Sequence, residues 1–288
     1  MATGVPTNRT NITLPAEISA EILAKTQEQS AVMQMARQIN LPGRGEAIPV
    51  ITSDPEAEWV GETAVKPVKN PGLSTKIMQA YKLAVIVPFS REFRRDAAAL
   101  YDELVRRLPA ALGAKFDKTV FTGTAPGSNF DTLAACQKQD IDYDGLVAAD
   151  TDIATAGGIL NGFALAPQGK GLLLAEKDLE GRPLFINNVS EGAIPMLLGA
   201  PTHITKAAYD GDEGVVGVAG DWTQALWGTV EGVQIGYSED ATLVTGESGA
   251  ETYINLFQQN MFAVRAEIEV GFRADTSCFN LLTVKASA

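Results

Sequence analysis

Six apolar residues at a strict four-residue interval, Leu100, Leu104, Leu108, Leu112, Phe116 and Val120, constrain this chain more than any other feature. Within SREFRRDAAALYDELVRRLPAALGAKFDKTVFTG, residues 90–123, Phe93, Ala97 and Val105 fall on or beside the same stripe, which is helix spacing and not strand spacing. The pattern predicts one long helix. A step of four overshoots a turn of about 3.6 residues, so the stripe drifts by roughly 40° per repeat and its two ends must pack on different neighbours. Ser90 is the expected N-cap and Gly123 the expected C′ residue. Pro109 removes a backbone donor mid-helix, which predicts a kink near Val105 to Leu108 or two helices in series.

On the N-terminal side, residues 1–11 have little to bury and read as an extended or disordered arm. Pro15 opens a second helical pattern whose stripe, Ile18, Ile22, Ala24, Ala31, Met35 and Ile39, runs to residue 40. Residues 46–89 read as a long β-hairpin. Its return limb alternates from Thr75 through Ile77, Gln79, Tyr81, Leu83 and Val85 to Val87, with a turn signal at Asn70-Pro71-Gly72. A two-stranded ribbon is marginal in water, so this one calls for a partner surface.

After the long helix, residues 141–235 alternate Gly-rich turns, helix-like pieces and strands, the strands expected at 171–175, 184–187, 215–219 and 232–237. That mixture suggests an α/β unit with its own core. Met261 to Arg273 alternates as a strand with one dry face, and Cys278 to Val284 reads as another strand.

The search for chemistry returns nothing above background. Asp140-Ile-Asp142-Tyr-Asp144-Gly145 matches the start of an EF-hand loop, but the twelfth position is Thr151 instead of a bidentate Glu, which leaves an acidic turn with Asp144 or Asp150 as a cap. His203 is the only histidine, and Cys136 and Cys278 are isolated, too few soft ligands for structural zinc and better read as free thiols. Gln168-Gly-Lys170-Gly is no phosphate-binding loop. We expect no catalytic residues, no cofactor and no bound metal. A formal charge of −12 argues against a protein that grips nucleic acid, and no apolar run of about 18 residues predicts a membrane span. The start of the chain lacks a signal-peptide pattern, so synthesis in the cytoplasm is expected.

The order of segments is more specific than any motif. A proline-led helix, AEWVGETAVKPV at a hairpin, KLAVIVPFSREFRRDAAALYDELVRRLPAALGAKFDKTVFTGTAPG, then GRPLFI, MLLGAPTHITKA, VGVAGDWTQALWGTVEGVQIGYSED and NMFAVRAEIEVGFRADTSCFNLLTV resembles the major capsid proteins of tailed bacteriophages, the Hong Kong 97 lineage, over nearly the whole chain. The resemblance implies an α+β fold with an N-terminal arm and helix (1–40), an extended β-hairpin loop (41–89), a peripheral domain with a spine helix (90–140), an inserted axial domain (141–240) and returning peripheral strands (241–288). Many copies would form hexamers and pentamers in an icosahedral shell, enclosing double-stranded DNA without sequence-specific binding. Scaffolding would be separate or unnecessary, and portal and decoration proteins would be candidate partners. The virion is the implied location.

Trp59, Val60, Glu62, Lys66 and Lys69 in the extended loop are the expected inter-subunit contacts. Lys66, Lys69 and Lys76 against Asn255, Asn260 and Asn280 supply no pair that matches the lineage's cross-link. Two alternatives stand beside this reading: an encapsulin-type nanocompartment shell protein and, from another class, a soluble α/β enzyme using unrecognised carboxylates.

Overall fold

The structure is a computed structural model, and it describes residues 26, 30–43, 46–53, 72–91, 97–177, 180–182, 184–185, 196–246 and 250–285. The predicted long helix is present as α2 (Ala97–Phe121), following a short α1 (Ala31–Met35). It runs unbroken through Pro109, so the expectation of two helices in series is overturned. One lost donor is outweighed by the buried stripe on either side of it. The stripe divides as its drift requires. Leu108 and Leu112 pack with Val233, Phe262, Val264 and Ile268, while Phe116 and Val120 join Phe130, Trp222, Trp227 and Phe272.

The helix starts later than Ser90, which is instead the last residue of strand β4 (Tyr81–Ser90). Its C-terminal end is as expected: a Cβ on Gly123 would come within 3 Å of the Thr119 Cα, so the chain can leave the helix this closely only at glycine.

Upstream, the helical pattern through Ile39 is overruled. The helix stops at Met35, and β1 (Arg37–Asn40) lies parallel to β10 (Ala225–Thr229), with Ile39 opposite Gly228. A side chain at 228 would collide with Leu41 and the Ile39 carbonyl, so the strand is admitted by a glycine on its partner. The predicted hairpin exists, but its return limb splits. β2 (Glu46–Ser53) pairs with β3 (Gly72–Met78), whereas β4 leaves the ribbon after Gln79 and Ala80 and pairs with β14 (Met261–Ala274) over ten residues. The period of two continues across the junction, which is why alternation alone cannot show the division.

β14 has the expected dry face, with Phe262, Val264, Ala266, Ile268, Val270 and Phe272 all buried. Ala263 to Glu267 pair with both β4 and β11 (Gln234–Ser238), so those strands flank β14 on opposite edges; β10 pairs with residues 270–274. Pro88 is tolerated because β4 pairs with no other described strand.

A second sheet, in the order β5-β15-β9-β6-β8-β7, joins β5 (Gln137–Asp140), β6 (Gly162–Leu165), β7 (Met196–Leu197), β8 (Ala200–Ile204), β9 (Val215–Gly220) and β15 (Phe279–Thr283). With α3 (Tyr143–Thr155) and α4 (Pro167–Ala175) it encloses a core of Leu146, Ile153, Phe163, Leu165, Leu173 and Val216, to which Leu282 of the last strand contributes. Residues 171–175, expected as a strand, are the end of α4, which Pro167 opens; Gly169 is needed there because the helix rests on the Val216 carbonyl. Leu184 and Phe185 are not in a strand, and 186–187 lie outside the described residues. A further two-stranded ribbon, β12 (Thr242–Thr245) with β13 (Thr252–Asn255), projects between β11 and β14 in the chain.

Candidate functional site

Every sequence motif with a chemical reading resolves into local structure. Asp142 caps α3, its carboxylate accepting from the Gly145 N–H at 2.8 Å and pairing with Lys285 at 2.8 Å, and both partners hold its pKa below the usual carboxylate range, Lys285 first. The cap is Asp142, not the expected Asp144 or Asp150. Gly145 is required because a Cβ would strike the Asp140 carbonyl. His203 sits in β8 opposite Ala164, where burial pushes its pKa down. Both thiols are free and buried, and burial, followed by the Asp275 charge, drives the Cys136 pKa up to about 12. Among the described residues no cluster of His, Cys, Asp and Glu could hold a metal, and no helix is long and apolar enough to cross a membrane.

What the fold does assemble is a pair of carboxylate junctions, one at the start of α1 and one at the end of the β2–β3 ribbon. The first is Asp117 on α2, 1% exposed. One oxygen accepts from Ser30 Oγ at 2.5 Å and the Val32 N–H at 3.3 Å, and the other accepts from the Ala31 N–H at 2.9 Å, so a side chain of the long helix closes the start of α1. Ser30 also accepts from the Met33 N–H as the N-cap. No cation bonds to Asp117 among the described residues, and burial outweighs the three hydrogen bonds, raising its pKa to about 6.

The second junction lies where β3 passes into β4. Arg273 of β14 donates to the Ile77 carbonyl through Nε at 2.9 Å and Nη2 at 2.7 Å, and to Asp131 Oδ1 through Nη1 at 2.6 Å. Lys76 Nζ donates to the Ala274 carbonyl at 3.2 Å and stands 3.9 Å from Asp131 Oδ2. Lys76, considered for a cross-link, is thus engaged with its own subunit, while Asn280 is buried against Asp152 and Asn255 is bonded to Thr242.

Beyond these junctions lie surfaces that the fold leaves uncovered. Tyr253 of β13 and Phe257, just beyond it, are 62% and 72% exposed, with Val244 paired opposite Tyr253. An open groove of about 660 Å³ is lined by Val87, Arg107, Leu108, Ala110 and Ala111 between β4 and α2. Trp59, Val60, Glu62, Lys66 and Lys69 lie outside the described residues. Asp117, Asp131 and Arg273 escaped the sequence reading. Asp117 adjoins the apolar stripe, and a charge at that place is the only hint the sequence offers.

The sequence matches the family described as Phage capsid family over residues 10–277. The probable major capsid protein gp17 of Mycobacterium phage L5 is 31% identical, the match covering 94% of this chain and 89% of that protein. Among solved structures, a chain from Microbacterium phage Oxtober96 superposes with a TM-score of 0.70 at 20% identity, covering 99% of this chain and 96% of its own, and one from Gordonia phage Cozz with a TM-score of 0.69 at 21% identity, covering 90% and 87%.

Proposed function

Because this chain belongs to the phage capsid family, we propose that its uncovered segments are the contacts through which copies of it build a phage head. It is a structural protein, the major capsid protein of a tailed phage, and not an enzyme. Copies of the chain assemble into the shell of the virion.

The finer reading is of the Hong Kong 97 type. Residues 1–40 act as the arm, 41–89 as the extended loop, 90–140 as the peripheral domain with α2 as its spine, 141–240 as the axial domain inserted around five- and six-fold axes, and 241–288 as the return. In support, α2 carries a stripe shared between two clusters, and residues 141–219 have a core of their own, which β15 also enters. Hexamers and pentamers close on an icosahedral lattice around double-stranded DNA. The charge of −12 suits a container, since a lining rich in Lys and Arg would hold phosphates at moderate salt. Synthesis takes place in the host cytoplasm. Curated relatives that are capsid proteins of phages favour a phage head over a nanocompartment.

One observation carries the proposal: the β2–β3 ribbon pairs with no other strand among the described residues, and a lone ribbon needs a second surface to be stable. A neighbouring subunit supplies it, with Trp59, Val60, Glu62, Lys66 and Lys69 as the contact residues. Size-exclusion chromatography followed by electron microscopy tests this. Closed shells eluting in the void volume are expected; a monodisperse monomer at high concentration refutes it.

A further inference from the structure

We propose that Arg273 and Asp131 form a clamp that sets the angle at which the β2–β3 ribbon leaves the body, making them positioning residues for shell closure. The proposal rests on the reading that the ribbon meets a neighbouring subunit.

Three separate segments converge at the ribbon's root. Besides Ile77 and Asp131, the Arg273 Nη2 donates to the Ser128 carbonyl and to Asn129 Oδ1, both at 3.2 Å. Asp131 is itself fixed: its Oδ2 accepts from the Ala274 N–H at 3.3 Å and its own N–H donates to the Phe272 carbonyl at 3.1 Å. On the outgoing side, Asn129 Nδ2 donates to Gln79 Oε1 at 3.3 Å and the Asn129 N–H to the Tyr81 hydroxyl at 3.2 Å. Lys76 and Ile77 near the end of β3, Gln79 in the link and Tyr81 at the start of β4 are therefore each bonded to residues 128–131 or to the end of β14. The Arg273 side chain is 12% exposed; its bonds to Asp131 and Asn129 are half-buried, and those to the Ile77 and Ser128 carbonyls lie at the surface.

Guanidinium chemistry suits this task. Its planar fork holds a carbonyl and a carboxylate in fixed relative directions, which a lysine, a point charge on a flexible stem, does not. The clamp acts where the ribbon enters the body: of the described β3 side chains, Lys76 and Ile77 are exposed and Met78 is fully buried. Its effect is on direction. Seven residues of β3 at about 3.3 Å each span roughly 23 Å, so a tilt of roughly 10° at the root moves the far end by about 4 Å, more than a hydrogen-bond length. An error of that size repeated at every subunit changes whether a lattice closes.

The test compares full-length wild type with Arg273→Lys and with a Lys76→Ala, Asn129→Ala double variant, which leaves the guanidinium in place. Far-UV circular dichroism and melting of unassembled subunits report folding, and electron microscopy reports the shape and yield of particles. We expect Arg273→Lys subunits to fold while closed shells fall at least tenfold, replaced by tubes, open sheets or a broad range of diameters, with the double variant intermediate. Loss of folding alone lowers the amount of particle without changing its shape. Wild-type yield and diameter from Arg273→Lys overturn the proposal; should that variant not fold, wild-type particles from the double variant overturn it. Hydrogen exchange of residues 46–53 and 72–78 separates the underlying reading. If those amides exchange equally in wild-type shells and free subunits, the ribbon does not meet a neighbour, whatever the variants do.

Discussion

Replacing Asp117 with Asn removes a buried charge while keeping the shape of the side chain, and the outcome depends on pH in a direction that can be worked out. The carboxyl has a pKa of about 6 in the fold against 3.8 for an ordinary aspartate. Between those values the folded chain holds a proton that the unfolded chain has released. Its stabilising contribution is therefore full below about pH 4 and is lost as pH rises through 6. A shift of about two units corresponds to roughly 3 kcal/mol, order of magnitude only. Asparagine cannot reproduce every bond: with its amide nitrogen turned to Ser30 it keeps Ala31 and forfeits Val32, costing about 1 kcal/mol at all pH values. Below about pH 4 wild type should be the more stable protein; about half of the 3 kcal/mol is gone by pH 5, where the order has already turned. By pH 8 the variant should be ahead by roughly 2 kcal/mol. The assay is urea unfolding of unassembled subunits of both proteins from pH 4 to 8. The difference in unfolding free energy between them isolates Asp117, because contributions from Asp142 and Asp210, both held low by lysines, cancel. A difference that is flat across this range refutes the argument that burial outweighs the three hydrogen bonds.

Gly145→Ala should destabilise the fold by roughly 3 kcal/mol, since the new methyl would overlap the Asp140 carbonyl; millimolar calcium should leave the wild-type melting temperature unchanged, and a calcium-dependent rise would show that the acidic turn is a metal site after all. Cys136 and Cys278 should resist a thiol reagent in the native subunit and react at once in denaturant, because burial keeps both as thiols; rapid labelling under native conditions would contradict that. Polar replacement of Trp59 and Val60 should lower particle yield several-fold while leaving the circular dichroism of the subunit unchanged; an unfolded subunit would mean that they belong to its own core.

Elements whose pattern is self-contained were legible in the sequence. The long helix declared itself through Leu100 to Val120, and the drift of that stripe foretold its two sets of neighbours. β14 was legible for the same reason: one dry face over fourteen residues leaves little freedom. Where two readings shared a pattern, the wrong one could win. Ile39 fits a helical stripe as well as a strand, and Thr75 to Val87 alternate across a junction that divides two sheets. The carboxylate junctions were the least legible, because their members are scattered: Ser30 with Asp117, and Ile77 with Asp131 and Arg273.

Local periodicity and the order of segments were enough to establish the α+β elements, the acidic character and the resemblance to a shell-building family, since these depend on residues near one another in the chain. Which strand lies beside which, that the last strand sits within the six-stranded sheet, and that one buried aspartate closes the start of α1 while one arginine bonds the end of β3 were decided by tertiary contacts alone. The bonds of Asp117 to residues 30–32 and of Arg273 to Ile77 join positions from 85 to 196 residues apart, and no pattern of nearby residues records a pairing made at that distance.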